Sequence, residues 1–204
     1  MGRGARVLEE NDFLEHVNNY LSDIRNILNL IDSDALYKFC NLLMEARIKE
    51  KNVYIMGNGG SASTSSHMAT DLMNGSNLKT PALRSISLSD NNALLTATGN
   101  DLDFDQIFAR QILCLGNADD IVIAISATGN SPNLIEATKI ANNRGMHTVG
   151  IIGMDGGALA SMVNLLIHVP TKKGSYGPAE DVHLIINHII ASYFKKESIL
   201  EDNR

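Results

Sequence analysis

Two strings in this chain have the make-up of an anion-binding loop, and two His/carboxylate sets have the spacing of a reactive or metal-binding centre. The strings are Gly57-Asn58-Gly59-Gly60-Ser61-Ala62-Ser63 and Ser126-Ala127-Thr128-Gly129-Asn130-Ser131. Glycines let backbone N–H groups approach an anion, hydroxyls donate further bonds, and a helix N-terminus adds partial positive charge. Each string is equally a tight strand-to-helix turn, and Ser131 before Pro132 makes a helix cap in its own right. Two such loops in one small domain tip the reading towards phosphate. The binding candidates are Asn58, Gly59, Gly60, Ser61, Ser126, Thr128 and Ser131. Neither loop has the Gly-Lys-Ser/Thr of a P-loop or the G-x-G-x-x-G dinucleotide spacing, which argues against nucleotide-driven chemistry and hydride transfer.

His67 and Asp71 are four residues apart in the helix expected after the first loop, so they share a face one turn apart. That spacing suits a shared metal ion, a His–carboxylate couple or an ordinary surface pair, and the neighbouring loop favours the first two. Later, Glu180, His183 and His188 interrupt an apolar stretch containing Val182, Leu184, Ile185, Ile186, Ile189 and Ile190. His183 and His188 are five residues apart, about 140° around a helix, and cannot both face one site. His183 reads as a buried structural residue. Glu180 and His188 lie about 12 Å apart along the axis. They share a metal ion only if it sits between them or if they come from different subunits.

These groups must be positioned by short strands and longer helices. Phe13, Val17, Tyr20, Leu21, Ile24, Ile27 and Leu28 recur at helical spacing. Ser33 or Asp34 is expected to cap a second helix through Leu36, Phe39, Leu42, Leu43 and Ala46. Segments 53–56, 83–88, 121–125, 148–152 and 165–169 read as strands. Helices are predicted over about 62–74 and 131–144, and from near Pro178 to about Lys196. Short strands that are apolar throughout and alternate with helices are what a parallel sheet covered on both faces requires. The expected fold is α/β, a three-layer parallel five-stranded sheet of flavodoxin-like type with an N-terminal helical extension. Residues 8–204 are expected to form one domain, with residues 1–7 a frayed or appended end. The leading helices carry apolar residues on more than one face, which suits burial between subunits or a hairpin on its own domain.

The chain has 204 residues, 44% apolar and 20% charged, with 17 Lys+Arg against 23 Asp+Glu. That suffices for one sizeable core and excludes a disordered chain. The net charge of −6 removes the electrostatic footprint of a nucleic-acid binder. Cys40 and Cys114 are far apart and in no metal-type spacing, so a disulfide scaffold is not expected and the chain reads as cytoplasmic. No apolar run approaches the roughly 20 residues of a membrane helix.

Taken in order, Gly57-Asn58-Gly59-Gly60-Ser61 with His67, Gly99-Asn100-Asp101, Ile125 to Ser131 and Asp155-Gly156-Gly157 resemble the sugar isomerase (SIS) domain. Within it they are most similar to the phosphoheptose isomerases, which convert sedoheptulose 7-phosphate to D-glycero-D-manno-heptose 7-phosphate. The resemblance spans nearly the whole chain. It implies a homotetramer with shared active sites, phosphate held by the Ser/Thr loops, and a zinc or other divalent ion bound by His67, Asp71, Glu180 and His188. It also implies Asp101 as a polar substrate contact, Asp71 or Glu180 as the base, and His188 as the group that shuttles protons on oxygen. Three positions depart from the family pattern: Asp71 stands where a glutamate is usual, Glu180 where glutamine is usual, and Gly177 where an aspartate is typical. Two other readings are a non-catalytic relative that binds a replication initiator and a sugar-phosphate sensor. The first should lose the His/carboxylate set, and the second needs a DNA-binding segment absent from this chain.

Overall fold

The five expected segments become strands β1 (Asn52–Gly57), β2 (Arg84–Ser87), β3 (Ile121–Ser126), β4 (His147–Ile152) and β5 (Leu165–His168) in a computed structural model describing residues 9–75 and 82–202. The helices are α1 (Glu10–Leu28), α2 (Ser33–Ile48), α3 (Gly60–Asn74), α4 (Asn92–Asp101), α5 (Ala109–Leu115), α6 (Pro132–Asn143) and α7 (Tyr176–Asp202). All strand pairs are parallel and the order is β2-β1-β3-β4-β5. This is the flavodoxin-like order, whose direction of winding reverses between β1 and β3. Residues 1–7, expected to be a frayed or appended end, lie outside the described residues.

Successive side chains in a strand point to opposite faces, and here both faces are dry. Val53 and Ile55 join Phe39, Leu43, Met68, Leu72, Val182, Ile186 and Phe194 in one core. Tyr54 and Met56 face the other way into a second core with Phe108, Ile112, Leu134 and Ala137. The sheet therefore has α2, α3 and α7 on one side and α5 and α6 on the other. This explains why β3, buried at every residue, reads as an unbroken apolar run, while the edge strand β2 alternates buried and exposed residues.

The structure corrects the expected elements in two places. Asp32, not Ser33 or Asp34, caps α2: its carboxylate accepts the Asp34 N–H at 2.9 Å. The sequence reading assigns nothing between Leu88 and residue 121, yet α4 and α5 lie there, and Gly99-Asn100-Asp101, also an ordinary turn sequence, forms the last turn of α4. Thr96, Thr98 and Gly99 are weak helix formers, so α4 carries little local signal. It is held by Asn91, whose side chain caps Leu94 N–H at 3.1 Å.

Candidate functional site

Because ligands in such sheets bind beyond the carboxyl ends of the strands where winding reverses, the loops after β1 and β3 are the place to look. Both expected phosphate loops are there. They line a pocket of about 270 Å³ with Asn58, Ser61, Ser126, Thr128 and Ser131, joined by Tyr176 and Glu180 from the start of α7. Gly59 and Gly60 form the turn into α3. Gly59 has a φ of +56°, and a Cβ on Gly60 would lie 2.2 Å from Glu180 Oε2. Gly60 thus admits the Glu180 carboxylate to the N-terminal turn of α3, where the helix dipole favours negative charge.

The second loop is held in a form that leaves hydroxyl protons for a ligand. Ser126 Oγ accepts from Gly129 N–H at 2.9 Å and Thr128 Oγ1 accepts from Asn130 N–H at 3.2 Å. Each oxygen is engaged as an acceptor, so its own O–H is left to donate. Ser131 occupies the cap position of α6, but its hydroxyl makes no capping bond. Asn133 Oδ1 takes the Leu134 N–H instead, at 2.9 Å, which frees Ser131. The Asp155-Gly156-Gly157 turn buttresses this loop: a Cβ on Gly129 would meet Gly156 O at 2.0 Å, and Ala158 N–H bonds Asn130 Oδ1 at 3.0 Å.

Asn133 was not singled out in the sequence. It exchanges two hydrogen bonds of 2.9 Å with the Asn58 side-chain amide, tying one loop to the other, and it is 1% exposed. An asparagine in the first turn after Ser-Pro, where it competes with the backbone, was the available signal.

A second group of side chains lies further along the same two helices. α3 and α7 start together at the pocket and pack side by side, bringing His67, Asp71 and His188 together. His67 Nε2 is 3.3 Å from Asp71 Oδ2, His188 Nε2 is 3.9 Å from that oxygen, and the two Nε2 atoms are 3.5 Å apart. Four ligands at zinc's usual 2.0–2.1 Å stand about 3.3 Å from one another, so this triangle fits one face of a tetrahedral site. Two imidazole nitrogens facing each other beside a carboxylate are a donor set suited to a shared cation. Asn187 Nδ2 donates to Asp71 Oδ2 at 2.7 Å. All three side chains keep solvent access.

Glu180, the fourth expected ligand, stands outside this group and lines the pocket two turns nearer the start of α7. His183 and His188 do face different ways. His183 is fully buried, neither ring nitrogen has a partner, and burial pushes its pKa down to about 4. Asp101 is exposed at the end of α4, where it accepts from Asn100 Nδ2 at 2.8 Å, and it is not among the pocket-lining residues. At Gly177 the space for a side chain is taken by Tyr20, whose Oη would lie 2.8 Å from a Cβ there. Tyr20 donates to Asp181 Oδ2 at 2.6 Å, and that bond is the main cause of its pKa rising to about 12. An aspartate at 177 would have to displace this pair.

The SIS domain family profile matches residues 13–153. The phosphoheptose isomerase of Pelobacter propionicus is 36% identical over 90% of this chain and 97% of that protein. That of Geobacter metallireducens is 32% identical over 89% of this chain and 97% of its own length. Among solved structures, the phosphoheptose isomerase from Neisseria gonorrhoeae superposes with a TM-score of 0.82 at 27% identity, covering 92% of this chain and 98% of that one. The enzyme from Francisella tularensis gives 0.82 at 25% identity, covering 93% and 100%.

Proposed function

The chain belongs to the phosphoheptose isomerases of the SIS domain family, and on that premise we propose that it interconverts sedoheptulose 7-phosphate and D-glycero-D-manno-heptose 7-phosphate. One observation carries the reading on this chain's own residues: a hydroxyl-lined pocket and a His/Asp/His group stand at successive positions along the same helix pair. From Ser61 to His67 is about 9 Å along α3. A sugar phosphate several carbons long can therefore place its phosphate in the loops and its carbonyl end at the histidines.

In this reading Ser61, Ser126, Thr128 and Ser131 donate to the phosphate, and Asn58, fixed by Asn133, shapes the pocket wall. His67, Asp71 and His188 would hold a zinc ion, which when bound polarises the carbonyl and the neighbouring hydroxyl oxygen. Asp71 is the base. None of the contacts described for its carboxylate falls on Oδ1, so that oxygen takes the proton from the carbon beside the carbonyl and returns it to the other carbon. His188 moves the proton between the two oxygens. Glu180 stands where relatives with a glutamine run the same reaction, so its carboxylate accepts hydrogen bonds from sugar hydroxyls rather than abstracting the proton.

The test is turnover of sedoheptulose 7-phosphate by parent, Asp71→Asn and Glu180→Gln proteins, each loaded with zinc. Asp71→Asn should lose about 10²–10⁴-fold in kcat, while Glu180→Gln should stay within about tenfold of the parent. Full activity in Asp71→Asn with a dead Glu180→Gln would exchange the two roles. An inactive parent would remove the substrate assignment.

A further inference from the structure

Asp71 is one methylene shorter than the glutamate usual at its position, yet its Oδ2 reaches both imidazoles. It does so with one outside partner. Asn187, the residue before His188, is fully buried and donates from Nδ2 to that same Oδ2 at 2.7 Å. The orientation of this amide is dictated chemically. If it were flipped, its oxygen would face a carboxylate oxygen, two acceptors with no proton between them. In the orientation found, Asn187 Oδ1 is buried with no hydrogen-bond partner among the described residues. Leaving a buried acceptor unpaired is costly, so for folding alone an apolar residue would serve α7 better. A buried asparagine that spends its only described side-chain hydrogen bond on a carboxylate, at a cost to the helix carrying it, has its use at that carboxylate.

We infer that Asn187 is a positioning residue for Asp71. Its N–H₂ holds Oδ2 between His67 and His188 and turns Oδ1 towards the substrate side, compensating for the short aspartate reach. The inference rests on the proposed roles of Asp71. Hydrogen bonds of this kind to a ligating group typically govern metal affinity or activity by 10–100-fold.

The experiment uses full-length Asn187→Leu protein stripped of metal. Zinc alone is titrated in by calorimetry, thermal melts are recorded without metal, and kcat and KM for sedoheptulose 7-phosphate are measured after reloading. We expect zinc to bind 10–100-fold more weakly and kcat to fall by a similar factor, with KM within about threefold, because the phosphate loops are untouched. The metal-free melting temperature should be equal to or above the parent's, since an unpaired acceptor has been removed. A merely structural asparagine would give the opposite pattern, a lower melting temperature with unchanged zinc affinity, and that result overturns the inference. If Asn187→Leu does not fold, Asn187→Ala, which removes the N–H₂ donor without adding bulk, carries the same expectations for zinc and kcat. A parent that binds zinc but does not turn over the sugar removes the substrate assignment, while the zinc titration still decides the role of Asn187.

Discussion

At the scale of single residues, the pocket hydroxyls divide into those occupied and those offered. Ser126 and Thr128 each accept a loop N–H, which organises the turn and directs their protons outward. Hydrogen bonds to a charged group are worth about 1.5–3 kcal/mol each. Ser126→Ala combined with Thr128→Val should therefore weaken sugar-phosphate binding by about 100-fold or more, read by calorimetry with sedoheptulose 7-phosphate. Binding equal to the parent's would place the phosphate elsewhere. The Tyr20–Asp181 bond belongs to the same scale. It shows that the glycine at 177 follows from a side chain arriving from α1, a fact invisible in the local string Tyr176-Gly177-Pro178.

At the scale of elements, α7 supplies three different services. Glu180 reaches the pocket, Asn187 and His188 reach Asp71 and His67, and His183 enters the core. Burial lowers the His183 pKa from 6.5 to about 4. Its neutral burial thus contributes fully above pH 6.5, the unfolded value. That contribution is lost as pH falls towards 4, because only the unfolded chain takes up the proton. At about 1.4 kcal/mol per pH unit, the parent should lose about 2 kcal/mol more than His183→Leu between pH 7.5 and 5. Urea unfolding of the two metal-free proteins measures this. Parallel pH profiles would mean that His183 finds a partner or solvent on protonation.

At the scale of the whole molecule, several large apolar side chains stand exposed. Phe13, Leu14 and Leu21 on α1 are each at least half exposed, Ile189 and Tyr193 on α7 are also exposed, and the His/Asp/His group is open to solvent. Clusters of exposed apolar side chains are a feature of interaction surfaces. The expected state is a homotetramer in which a neighbouring subunit covers α1 and closes the site. Light scattering at micromolar concentration should report four chains, and Leu14→Glu combined with Leu21→Glu should dissociate them. A stable monomer with full turnover would show that each chain carries a complete site. Among the described residues no helix is long and apolar enough to cross a membrane.

Much of this was legible in the sequence. Apolar strands alternating with helices are what a parallel sheet buried on both faces requires, because both sides of such strands must be hidden from water. The glycine and hydroxyl strings announce their loops because backbone geometry is a local property, and the four-residue step from His67 to Asp71 is a local property of a helix. The packing of α3 against α7 was not legible. It separated Glu180 from the His/Asp/His group, placed Asn187 on Asp71, sent His183 inward, and paired Asn133 with Asn58. Each of these joins residues 75 or more positions apart, or turns on which flank of a helix meets its neighbour. A helix of period 3.6 offers every residue some face, and only the partner packed against it decides which face becomes the site.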